Sequence, residues 1–261
     1  MTRPRVLPAS LLAIAAALTV VAQPQIGGGT CNSGTLTGPY SLALTGRDLS
    51  ASTTFNNVEQ GVGTATFDGL SAVTFTLTNN TNKTVGVAEK LSGTYSLQSN
   101  CIGTITITSG DNATFTLGAY SLGSAYFISG QDGQFALSGN GNTLPATCTT
   151  GTFNGTYSFN GNGYVINSGS IVGGSYVSGL MMFDGAGNVS ANVYISINGS
   201  SRQLTSQGTY TVSPGCTATA TYTDSSGATY ALAYTITSAN GAFTAVIANA
   251  QAVFSVNGRI L

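Results

Sequence analysis

The 261 residues include no histidine and no tryptophan, and only 6% are charged, seven Lys and Arg against eight Asp and Glu. Without histidine, Ser-His-Asp triads and imidazole bases are excluded. The few cations are scattered, so they cannot form the basic stripe that displaces counterions from a phosphate backbone, and nucleic acid is excluded as a partner.

In chain order, Arg3 and Arg5 precede an apolar run from Leu11 to Val21, and Val20-Val21-Ala22 offers the small side chains of a cleavage site. This predicts a signal peptide over 1–22, cleavage near Ala22, and a secreted, periplasmic or cell-surface location. A flexible Gly-rich leader is expected over 23–30. The run is about half the ~20 residues that span a bilayer, and no later segment of that length is free of Gly, Ser and Thr, so no membrane span is expected. The mature chain keeps five basic and eight acidic residues, a net charge of −3.

The stretch TCNSGTLTGPYSL at 30–42 returns as TCTTGTFNGTYSF at 147–159, which divides the chain into repeats at 31–144 and 145–261. Phe67-Asp68-Gly69 returns as Phe183-Asp184-Gly185, and Gly93-Thr94-Tyr95 as Gly208-Thr209-Tyr210. Cys31 matches Cys148, Cys101 matches Cys216, and Phe135 is aligned with Phe254. The offset drifts by two residues at most over the first three matches, so insertions are confined to loops.

Within each repeat, apolar and polar residues alternate, as in Val73-Thr74-Phe75-Thr76-Leu77 and Tyr230-Ala231-Leu232-Ala233-Tyr234. Period two means strands with one buried face. In the first repeat strands are expected near 38–45, 61–67, 72–78, 91–97, 102–108, 113–119, 122–128 and 133–138, with the weakest pattern at 79–89. In the second they are expected near 155–160, 176–183, 189–197, 203–212, 217–223, 228–237, 242–248 and 252–258, and Gly161-Asn162-Gly163 is read as a loop. No helix long enough to cross between parallel strands interrupts them, so the sheets are antiparallel. The predicted class is all-β, a tandem duplication of an eight-stranded meander. Closure into two up-and-down barrels removes the edges, and two β-sandwiches are the alternative.

Four cysteines behind an export signal predict disulfides, with three pairings formally possible. Duplication favours Cys31 with Cys101 and Cys148 with Cys216, since an ancestral single repeat held only its own pair. Meander geometry agrees, because the turn between the fourth and fifth strands lies at the end where the first strand begins. Closing loops of about 70 residues stabilises each repeat by roughly 4 kcal/mol in the chain-entropy model. A cysteine metal site lacks both a C-x-x-C pair and histidine.

Asp68 and Asp184 recur in both repeats and are the candidates for a carboxylate pair of the glycoside-hydrolase kind. Turn chemistry is the simpler reading, with Asp bonding its own backbone and Gly69 or Gly185 accepting positive φ. Asp184 to Asn188 also hints at a calcium loop but is too poor in acids. Ser-Lys chemistry has only Lys83 and Lys90 to draw on. No catalytic, cofactor or metal residue is therefore assigned. Most of the twelve Tyr and eleven Phe fall on the alternating face that a barrel buries.

The pattern S-G-T-Y-(S/T)-(L/V)-x-x-x-C-x-(G/A)-T at 92–104, its counterpart at 208–219 with Gln207 inserted, and FDGAGN at 183–188 resemble a group of exported β-repeat proteins associated with acidobacteria. The resemblance covers nearly the whole mature chain and implies export and fold, but no chemistry. The first repeat departs from it at Asp68-Gly69-Leu70-Ser71, where the Gly-Asn end of the turn is missing.

The expected function is that of a secreted, non-catalytic barrel protein binding a small apolar molecule or a glycan. A structural or adhesive surface protein is the alternative, and a carboxylate hydrolase a second one. A void of several hundred cubic ångströms lined by Tyr and Phe favours ligand binding, whereas filled interiors favour a structural role. A hydrolase requires two carboxylates facing one cleft, roughly 5 to 10 Å apart.

Overall fold

A computed structural model describes residues 30–49, 57–82, 84–109, 112–238, 241–249 and 252–261. The leader, its cleavage site, Gly27 to Gly29 and Lys83 lie outside these residues.

Alternation in sequence becomes alternation in burial. In Thr217–Asp224, Ala218, Ala220, Tyr222 and Asp224 are buried while Thr219, Thr221 and Thr223 face outward. The threonines suit an exposed pleated surface, and the inward residues line a closed sheet. The first repeat comprises β1 (Thr37–Asp48), β2 (Val58–Asp68), β3 (Ala72–Thr81), β4 (Val85–Leu97), β5 (Ile102–Ile107), β6 (Ala113–Tyr120), β7 (Ala125–Gln131) and β8 (Phe135–Asn142). The second comprises β9 (Asn154–Asn167), β10 (Ser170–Asp184), β11 (Asn188–Ile197), β12 (Ser200–Val212), β13 (Thr217–Asp224), β14 (Thr229–Ile236), β15 (Phe243–Ile247) and β16 (Ala252–Ile260). Every neighbouring pair is antiparallel; β1 closes on β8 and β9 on β16, so each repeat is an up-and-down barrel.

Several expected boundaries shift. Gly161-Asn162-Gly163 is not a loop but the middle of β9. A side chain at Gly161 or Gly163 would run into the backbone carbonyls of Ser255 and Val253 on β16, so these glycines permit a close approach rather than a turn. The start expected for β7 at 122 moves to Ala125, because Ser121, Leu122 and Gly123 all take positive φ in a 3-10 turn. In the weakly patterned 79–89 stretch, residues 79–81 and 85–89 belong to the arms of the β3–β4 hairpin. Ladder register also revises one match: Leu137 pairs with Gly46 and Phe254 with Gly163, so Leu137, not Phe135, is the counterpart of Phe254.

The same lid closes one end of each barrel. A 3-10 turn, Ser33–Thr35 in the first barrel and Thr150–Thr152 in the second, drops Leu36 or Phe153 into the end of the barrel with no exposure. Disulfides Cys31–Cys101 and Cys148–Cys216, each with Cα atoms 5.0 Å apart, tie the lid to the β4–β5 and β12–β13 turns. The tyrosine of the repeated Gly-Thr-Tyr fastens it from inside. Tyr95 donates to the carbonyls of Ser33 and Leu36 at 2.8 and 3.1 Å, and Tyr210 to those of Thr150 and Phe153 at 3.0 and 2.7 Å.

The barrels lie side by side. All of Val58 to Gly63 on β2 is buried, because one face lines its own barrel and the other meets β14, β15 and β16. Val58 packs with Ile166 and Val253, and Val62 with Ala233 and Val246. Thr235 donates to the Gly63 carbonyl at 3.0 Å. The fully buried Asn80 amide reaches the carbonyls of Ile247, Asn249 and Ala252 at 2.6 to 2.9 Å.

Candidate functional site

Above its lid the second barrel is floored by aromatic rings. Phe153 stacks on Phe183 with centroids 4.5 Å apart, and Tyr210, Tyr234 and Phe243 meet Phe153 edge-on. Just above, the Tyr222 and Tyr234 hydroxyls share a 2.6 Å hydrogen bond, and Tyr222 also donates to Met181 Sδ at 3.3 Å. Burial pushes both phenols above their ordinary pKa, so they remain neutral and their polar atoms are satisfied within the floor.

Beyond this floor lies a cavity of about 260 Å³. Its wall is aliphatic, with Val177, Val193, Ile195, Leu204 and Leu232 pointing inward yet only half-buried, because empty space lies in front of them. The matching space in the first barrel is about 120 Å³. Residue exchanges at equivalent ladder positions contribute to the difference. Leu44 becomes Gly161, Phe75 becomes Ala191 and Ile105 becomes Ala220, which removes bulk, while Gly61 becomes Val177, Ala65 becomes Met181 and Ile107 becomes Tyr222, which adds it elsewhere in the wall.

Polar groups gather toward the end of the cavity opposite the disulfide, where the β11–β12 and β13–β14 hairpins turn. Arg202 and Tyr230 line it, and Ser206 stands directly across the ladder from Asp224. Asp224 is 6% exposed. Its Oδ1 accepts from the Ser226 amide, the Ser226 hydroxyl and the Ala228 amide at 2.8, 2.6 and 3.0 Å. Burial opposes its ionisation, but these bonds prevail and its pKa falls below the ordinary carboxylate value. Tyr230 is raised, first by burial, then by the Asp224 charge and by its hydroxyl's approach to that carboxylate.

The recurring cysteines and the aspartates Asp68 and Asp184 singled out in sequence serve the scaffold. The Asp68 Oδ1 accepts the amides of Leu70, Ser71 and Ala72 at 2.8 to 2.9 Å, and Gly69 has φ +79°. Asp184 accepts the Ala186 and Asn188 amides and, at 2.6 Å, the Asn188 side chain; Gly185 has φ +72°. The Asn188 bond leads the contacts that pull the Asp184 pKa down to about 2. Each aspartate caps its own hairpin at the lidded end of a separate barrel, so the two do not face one cleft as a hydrolytic pair. The acids that do share a cavity are Glu59, Glu89 and Asp132 in the first barrel. Sequence reasoning missed them, as it missed Asp224 and Tyr230, because they occur singly in runs where only the barrel's closure brings them together. One signal was present: Asp224 ends an alternating run on its inward phase, where an apolar residue is the norm.

No family model matches the chain, and no curated protein matches it. Among solved structures, a Nitrosomonas europaea protein provisionally described as an AttH is similar over 85% of this chain and 92% of that one, at 8% identity and a TM-score of 0.23. So low a score carries no argument, and the barrels rest on their own strand pairing.

Proposed function

We propose that this is an extracytoplasmic, non-catalytic protein whose second barrel holds a small apolar molecule. The observation that carries the reading is the difference between the copies: one interior is nearly filled, while the other keeps an aliphatic cavity of about 260 Å³ over a sealed aromatic floor. Empty apolar space costs stability, so its presence in one of two copies of the same design points to an occupant. Export is supported by two disulfides, which persist in oxidising compartments, and by the signal-like N-terminal sequence. The non-catalytic reading is supported by the commitment of Asp68 and Asp184 to turns. The carboxylates that share the first cavity enclose only about 120 Å³, less than the ~150 Å³ that holds one benzene, and so too little for a sugar ring.

Native mass spectrometry of the protein from its own host, together with displacement of N-phenyl-1-naphthylamine, tests this reading. One saturable site per chain and a co-purifying apolar molecule are expected. Absence of both would refute it.

A glycan reading has one observation of its own. Tyr176 and Tyr194, 70% and 56% exposed, stand diagonally on the outer face of β10 and β11 beside Asn160, Asn162 and Asn257, a surface suited to stacking and amide contacts with a sugar. Tyr176→Ala should abolish retention on an insoluble polysaccharide and leave the cavity site intact.

A further inference from the structure

The polar end of the cavity defines the ligand's chemistry, and this step rests on the cavity being the binding site. We propose that the ligand is an apolar chain of roughly ten carbons ending in a hydrogen-bond-donating head, an alcohol or an amine, seated on Asp224. The length follows from volume: a cavity of ~150 Å³ holds the six carbons of benzene, so about 260 Å³ holds proportionately more.

The head follows from Asp224. Its Oδ1 is saturated by the turn, whereas Oδ2 is buried at the cavity's polar end, where the Tyr230 hydroxyl approaches it without closing a hydrogen bond of good geometry. An ionised carboxylate only accepts, and a buried acceptor without a donor is costly to leave unmet. A ligand O–H or N–H supplies the missing donor. The groups nearby fit such a head: the Tyr230 hydroxyl and Ser206 line the same end, and an alcohol that donates to Asp224 can accept from Tyr230. Arg202 also lines this end but is exposed, so solvent screens its charge. An anionic head would meet the carboxylate at close range with only that one cation in its favour. The site therefore disfavours a carboxylic acid of the same length.

The test is a titration with decanol, decylamine and decanoate against the full chain, Asp224→Asn and Ala191→Phe. The side-chain amide introduced by Asp224→Asn keeps an oxygen for the turn amides but puts an N–H₂ where Oδ2 was, so the scaffold is retained and the acceptor becomes a donor. For the native protein, decanol and decylamine should bind at least tenfold more tightly than decanoate. In Asp224→Asn, decylamine should weaken at least tenfold and decanoate should gain. A preference for decylamine over decanol identifies a cationic head, and the reverse a neutral one; both support a donor. Equal binding of all three, abolished by Ala191→Phe, would overturn the head assignment and leave the cavity reading standing. A head preference unchanged in Asp224→Asn would also overturn it. No binding of any of the three would overturn both.

Discussion

Ala191 occupies the place that Phe75 fills in the first barrel, so Ala191→Phe asks whether the void is a tolerated defect or a functional space. The cavities differ by about 140 Å³, 260 against 120. At ~24 cal/mol per Å³ of void, the hollow copy forgoes about 3 kcal/mol relative to the filled one. A benzyl group occupies the larger part of that space and recovers about 2 kcal/mol, less roughly 1 kcal/mol of repacking strain. The net gain of about 1 kcal/mol raises the second barrel's melting temperature by roughly 2 to 4 °C in a chain of this size. Calorimetry reads the transition, and naphthylamine titration reads the site. The expected result is a more stable barrel that no longer binds. Binding that survives the substitution would show that the ligand lies elsewhere. Destabilisation beyond about 2 kcal/mol would show that the space is not available to a side chain and that the volume argument fails.

Cys216→Ala opens a loop of 68 residues and should destabilise the second barrel by about 4 kcal/mol in the chain-entropy model, leaving the first barrel's transition in place. Limited proteolysis should then map cuts to the second repeat alone. Asp184 has a folded pKa of about 2, below the ~3.9 of an unfolded aspartate, so its contribution to stability is complete above about pH 4 and is lost as pH falls toward 2. Melting temperature against pH should therefore fall less steeply over that window in Asp184→Asn than in the native chain. Asn80→Ala leaves the carbonyls of Ile247 and Ala252 without their buried donor and should cost about 2 kcal/mol, read as the two barrels' transitions separating in calorimetry.

Much of the fold was legible because its signals are local. Thr-Ala-Thr-Ala-Thr-Tyr can bury only one face, and Phe-Asp-Gly between two such runs can only turn. The disulfides were legible because a meander brings the fourth turn back to the start of the first strand. What was not legible depends on closure. Gly161 and Gly163 look like a turn until β16 returns to pair with β9 and leaves no room for a side chain. The Gly-Thr-Tyr motif reads as a strand, and its purpose emerges only once the Tyr95 and Tyr210 hydroxyls are seen holding lids 57 to 62 residues away in sequence. Asp224 is a lone acid in sequence and becomes a candidate site only when seven other strands surround it.

The pairing of the barrels explains how one copy can remain hollow. Leu232, Ile247, Ala252, Phe254 and Val256 line the cavity from β14, β15 and β16, so this part of the wall has a void on its inner side. A single sheet with solvent outside and empty space inside lacks packing on both faces. Here the outer face is covered: Ala233, Val246 and Val253 of the same strands are buried against Val58 and Val62 of the first barrel, and Asn80 bonds the carbonyls that end β15 and open β16. The filled copy thus supplies outside the wall the contacts that the hollow copy gives up inside it. Duplication followed by docking lets the first barrel keep the packed interior and the second keep the space. It follows that loosening the dock at Asn80 should weaken ligand binding as well as stability, although Asn80 does not line the cavity.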